Sequence, residues 1–129
     1  MKTVCLYFEI HQNIHLKRYR FFDIGTDHYY YDDYENARSI QETAEHSYVP
    51  ALEALIDMAK ANPGYFKCAF SLSGCAIEQM ENHAPPVIAL LQQLKDTGCV
   101  EFLAEPYSHG FSSMKNEETY RNQAKHLHA

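Results

Sequence analysis

Three short apolar runs punctuate the chain, and between them apolar residues recur at three- and four-residue spacing. The first run, about Thr3 to Ile10, is nearly continuous. It predicts a strand buried on both faces. Lys67 to Leu72 predicts a second strand and Cys99 to Leu103 a third. Residues 11–31 show no helical period and are crowded with His, Tyr, Phe and Arg, which reads as a long functional loop. A helix is predicted from Asp32-Asp33, whose charges favour an N-terminus, with Ala37, Ile40, Ala44 and Tyr48 facing inward. Pro50 predicts a break or a fresh first turn. Leu52, Leu55, Ile56 and Ala59 then fall at i, i+3, i+4 and i+7, a buried helical stripe. Asn62-Pro63-Gly64 stops that helix. A short helix is predicted around Ala76 to Asn82. Another opens at Pro85-Pro86, carries Val87, Leu90, Leu91 and Leu94 inward, and closes at Thr97-Gly98. Ala104 to Ser113 reads as a loop. Asn116 caps a final helix with Glu117-Glu118 in its first turn and a weak apolar side of Tyr120, Ala124 and Leu127.

Strands alternating with helices imply α/β architecture, parallel βα units and right-handed crossovers. Three strands make a small open sheet or the first arc of a barrel. In either case ligands sit at the carboxyl ends of the strands. That rule directs attention to His11-Gln12, to Ser73-Gly74-Cys75 and to Ala104 through His109.

Composition narrows the classes. A chain of 129 residues, 46% hydrophobic and 22% charged, suits one domain with its own core. A net charge of −6 without a basic run argues against a nucleic-acid surface. The apolar start is too short for a secretory signal, and no stretch approaches a membrane span, so a cytoplasmic protein is expected. Cys5, Cys68, Cys75 and Cys99 lack a CxxC spacing and are expected as buried free thiols. Ten Tyr and seven Phe with no Trp supply rings with polar tips, which suit a sugar-lined cleft as well as ordinary packing.

Several residues carry candidate chemistry. His11 and His15 are four apart, but the residue after His11 is Gln12, and the segment follows a strand. A zinc-protease helix needs Glu there. His11 instead aims an imidazole from a strand end into a cleft, with Gln12 beside it. Glu101 sits inside an apolar strand. If Val100 and Phe102 face the helices, Cys99, Glu101 and Leu103 face the other side. An unpaired carboxylate is not tolerated in a sheet buried on both faces. Glu101 therefore points into a barrel mouth or meets an Arg or His. Tyr107, Ser108 and His109 follow that strand and can hydrogen-bond and stack on a sugar. There is no G-x-S-x-G elbow and no Gly-rich phosphate loop. His126 and His128 at the chain end are expected to be solvated.

Taken together, these segments resemble glycoside hydrolase family 57. His11-Gln12-Asn13 is similar to its first motif, His-Gln-Pro, with Asn in place of Pro. Phe70-Ser71-Leu72-Ser73-Gly74 and Ile77-Glu78-Gln79-Met80 resemble its second strand and following helix. Gly98-Cys99-Val100-Glu101-Phe102 resembles the second motif, and Tyr107-Ser108-His109 the Tyr-x-His after it. The resemblance runs from about residue 3 to the end. It implies the first three strands of an incomplete seven-stranded (β/α) barrel, with residues 1–129 an N-terminal piece of an α-amylase-like catalytic domain. Family members act on α-glucans by a retaining mechanism, with a Glu of the third motif as nucleophile and an Asp of the fourth as acid/base. Neither motif is found in this chain. The resemblance therefore implies substrate contact by His11, Gln12, Glu101, Tyr107 and His109, no catalytic residue within the chain, and no cofactor or metal. An α-glucan oligosaccharide or polysaccharide is the implied ligand. The rest of the barrel, or a self-association partner, would cover the open edges.

Two other readings stay open. A polysaccharide deacetylase-like enzyme would need metal ligands from Asp32-Asp33 and His11/His15, which occur in the wrong order. A non-catalytic binding module would use the exposed sheet edge.

Overall fold

The computed structural model describes residues 2–128, with side chains for residues 2–125. The expected roles of His126, Leu127 and His128 fall outside the described side chains. The elements are β1 (Leu6–Ile10), α1 (Asp33–Thr43), α2 (Val49–Ala61), β2 (Cys68–Leu72), α3 (Gly74–His83), α4 (Pro85–Asp96), β3 (Val100–Leu103), α5 (Ser112–Lys115) and α6 (Glu117–His128). The strands form one parallel sheet in the order β1-β2-β3. Leu6 pairs with Cys68 and Cys68 with Val100; Phe8 pairs with Phe70 and Phe70 with Phe102.

This register sorts the side chains by face, because residues two apart on a strand point the same way. Leu6, Phe8, Ile10, Cys68, Phe70, Leu72 and Val100 pack against the helices. Phe8 stacks on Phe70 at 5.1 Å, and Phe70 meets Phe102 at 6.3 Å. Ile40, Leu52, Leu55, Ile56, Met80, Val87, Leu91 and Leu94 complete the same core from α1 to α4. The other face carries Tyr7, Glu9, Ala69, Ser71, Glu101 and Leu103. Tyr7 is 51% exposed and Leu103 42% exposed, so much of this face is uncovered.

The expectation that the first strand is buried on both faces is therefore corrected. β1 is an edge strand, and Ile10 is its one buried residue. Its paired part begins at Leu6 because β2 begins at Cys68, which leaves Val4 and Cys5 without strand partners. Cys68 and Cys99 are buried free thiols as expected. Cys75 is half-buried, and Cys5 departs from the expectation by being exposed.

Pro50 lies in the first turn of α2 as predicted, yet the chain does not break before it. α1 passes through a wider π-helical turn, Ala44–Tyr48, directly into α2. Proline has no N–H and its ring crowds the carbonyl four residues earlier, and the wider turn relieves that crowding. Residues 15–32 form a closed loop. Leu16 bridges to Tyr31, the Lys17 N–H donates to the Tyr30 carbonyl, and the Asp32 N–H donates to the His15 carbonyl. Asp32 then caps α1 by accepting from the Glu35 N–H.

Candidate functional site

The carboxyl ends of the three strands meet at one polar cluster. His11 follows β1 directly. Its Nδ1 lies 2.7 Å from Ser73 Oγ, and its Nε2 lies 2.9 Å from Asn13 Oδ1. An amide oxygen only accepts, so in the neutral ring Nε2 carries the hydrogen and Nδ1 accepts from the Ser73 hydroxyl. Ser73 is fully buried and also caps α3 by accepting from the Ala76 N–H. One serine thus joins the end of β2, the start of α3 and the orientation of His11.

His109 completes the cluster from the loop after β3. Its ring stacks on His11, with centroids 4.4 Å apart and planes 17° from parallel. Its backbone is left-handed, at φ 51, and its N–H donates to the Pro106 carbonyl. Histidine is among the residues that adopt this conformation more readily than most. His109 Nδ1 lies 3.2 Å from Glu9 Oε1 and 3.6 Å from Glu105 Oε2. Glu105 is buried and accepts from the Ser71 hydroxyl through Oε2. The Glu9, Glu105 and His109 ligand atoms all lie within 4.8 Å of one another, and among the described residues no other His, Cys, Asp or Glu group converges in this way. An open cavity of about 510 Å³ lies in front, lined by Tyr7, Glu9, Glu105, His109, Phe111 and Tyr120 among others.

The five residues expected from the sequence take different places. His11 and His109 come together. Gln12 turns away from the cavity rim: its side-chain amide donates to Ser39 Oγ, and its carbonyl accepts from Gln79. It ties the strand end to α1 and α3. Tyr107 lies against α3. Its hydroxyl donates to Glu78 at 2.6 Å, and its carbonyl accepts from the Cys75 N–H. The Glu78 carboxylate, helped by burial, raises the Tyr107 hydroxyl from its ordinary 10.0 to about 12. Burial also pushes the Cys75 thiol up. Glu101 stands apart. It is exposed on the open face, pairs with Ala69, and lines a second cavity near the amino ends of the strands, with Cys5 and Lys67. Among the described residues no hydrogen bond or ion pair reaches its side chain.

The sequence assigns no contact to Glu9, Ser71, Ser73 or Glu105, although Ser73 and Glu105 lie in the segments after β2 and β3 that it singles out. Glu9 was accessible from the strand period, since it sits two before His11 and shares a face with Tyr7. Ser71 and Glu105 meet across 34 residues of sequence, a contact no local pattern announces. The metal set of a deacetylase-like enzyme is not assembled: Asp32 caps α1, Asp33 accepts from Tyr29, and His11 is taken by Ser73 and Asn13.

Comparison with known proteins settles the lineage. The sequence description of glycosyl hydrolase family 57 matches residues 5–129. The chain belongs to glycosyl hydrolase family 57. A similar protein is one from Methanocaldococcus jannaschii named "Putative alpha-amylase", 29% identical over 89 residues, which are 69% of this chain and 19% of that protein. A 4-alpha-glucanotransferase from Thermococcus litoralis has a similar fold, with a TM-score of 0.67 over 95% of this chain and 16% of that one, at 19% identity. The chain thus spans less than a fifth of either relative. The three parallel βα units are the part of the family 57 fold seen here. Among the described residues no helix is long and apolar enough to cross a membrane.

Proposed function

We propose that this family 57 chain supplies one wall of an α-glucan site, in which His11 and His109 meet the sugar and the bond-breaking carboxylates come from outside residues 1–129. The observation that carries the reading is the stacked His11–His109 pair at the carboxyl ends of parallel strands, beside an open cavity. That is where α/β folds bind ligands. His109 Nε2 is left to meet a sugar hydroxyl while Nδ1 faces the carboxylates. Gln12 and Tyr107 position the wall and do not touch the ligand in this reading. Glu101 extends the same open face toward the opposite end of the sheet.

Isothermal titration of the 129-residue chain with maltoheptaose tests this. The expected result is weak binding, on the order of millimolar, which is a free energy of about −4 kcal/mol. His109→Ala should weaken it about tenfold, and the chain alone should release no reducing sugar. Hydrolysis by the purified chain, or binding that ignores His109, contradicts the proposal.

A further inference from the structure

We propose that Glu9, Glu105 and His109 form a binding site for a divalent cation, with zinc as the ion that fits best. The sequence reading assigned no metal residue, and three observations of geometry lead away from it.

The first is the spacing of the ligand atoms. Zinc bonds of about 2.0–2.2 Å at tetrahedral angles place neighbouring ligand atoms about 3.4 Å apart. His109 Nδ1 stands 3.2 Å from Glu9 Oε1 and 3.6 Å from Glu105 Oε2, on either side of that value. Among the described residues the His109 ring makes no hydrogen bond to either carboxylate. The three groups face one another at close range without the alignment of direct hydrogen bonds.

The second is an orphaned oxygen. Glu105 is 8% exposed, and its Oε1 is buried with no hydrogen-bond partner among the described residues. A buried carboxylate oxygen left without a donor is strongly unfavourable, and buried charges are normally paired or bound to metal. A cation held by both Glu105 oxygens, Oε2 at 3.6 Å from His109 Nδ1 and the otherwise unpartnered Oε1, would satisfy it.

The third is the support around the ligands. Ser71 donates to Glu105 Oε2, and the His11 ring lies flat on His109. Groups that fix ligand orientation in this way are typical neighbours of metal sites. One nitrogen and two carboxylate ligands suit zinc better than calcium or magnesium, which prefer oxygen alone. Three protein ligands leave a fourth position open, and here it faces the cavity of about 510 Å³.

The site does not depend on the glucan reading, and the test separates them. Tag-free protein would be stripped with a chelator, dialysed against zinc chloride and analysed for bound metal, with thermal melting alongside. The expected result is about one zinc per chain and a raised melting temperature. Glu9→Gln and His109→Ala should each weaken zinc binding by at least tenfold. Ser71→Ala, which keeps all three ligands, should weaken it about tenfold. His15→Ala should bind as the parent does. Glu9 is exposed, so the Glu9→Gln variant decides the matter even if a core variant fails to fold. No retained zinc, zinc retained equally by Glu9→Gln, or zinc lost in His15→Ala would overturn the site. Maltoheptaose titration in the presence of chelator reports on the glucan wall independently.

Discussion

At the residue scale, two neighbours hold the candidate site in place for different reasons. Gly74 looks in the sequence like a turn glycine, yet its backbone is not left-handed. Its role is space: a Cβ added there would fall 1.9 Å from the Tyr107 ring. Gly74→Ala should therefore push Tyr107 off α3 and lower stability by roughly 1–3 kcal/mol, the usual cost of overpacking. Urea denaturation would show it as a lower midpoint at an unchanged slope. Ser73 has a hydroxyl that serves both the α3 N-terminus and His11. Ser73→Ala should cost about 1 kcal/mol through the lost cap. It should also release the His11 ring, seen as a changed tautomer balance by nitrogen NMR. A Ser73→Ala protein whose His11 keeps its tautomer would show that Asn13 alone fixes the ring.

At the scale of elements, the tether from the β3 loop to α3 responds to pH. Tyr107 is neutral when it donates to Glu78, and its hydroxyl is raised to about 12. A raised acid favours its protonated form in the folded state. The stabilisation is thus complete below the ordinary tyrosine value of 10.0 and is lost as pH rises through about 12. Urea midpoints of the parent should fall across that window, and Tyr107→Phe should lack this component of the fall. Parallel curves for the two proteins would rule out Tyr107 as its source.

The same scale shows what the sequence disclosed. α2 and α4 were legible because Leu52, Leu55, Ile56 and Ala59, and Val87, Leu91 and Leu94, keep one helical face apolar. β2 was legible to within a residue because turn signals bracket it. The apolar run overstates β1, since apolarity at Val4 and Cys5 says nothing about whether a neighbouring strand reaches them. The continuous passage from α1 to α2 was hidden because Pro50 ordinarily interrupts a helix, and only the π turn accommodates it. α5 has four residues, too few for a period to show. In the site, His11 and His109 were found because they follow strands. Glu105 follows β3 as well, but its role is hidden because its partner, Ser71, lies on another strand.

At the scale of the whole molecule, the chain is a helix layer on one face of a three-stranded parallel sheet. Among the described residues β1 and β3 pair with no further strand, and much of the other face is exposed. The helical side is a complete core, centred on Phe70, which is 2% exposed. The open side carries the polar groups: Glu9, Ser71, Glu101 and, at its carboxyl end, the histidine pair. This division gives the family 57 chain its proposed role. The closed face keeps the fold, and the open face is free to meet a glucan and whatever completes the site. The most direct measurement is a maltoheptaose titration followed by the ring-proton NMR signals of the histidines. His11 and His109 are expected to shift together in one saturable process, while His28, His46 and His83 stay fixed. Shifts confined to those three, or no shift at any histidine at saturating sugar, would contradict it.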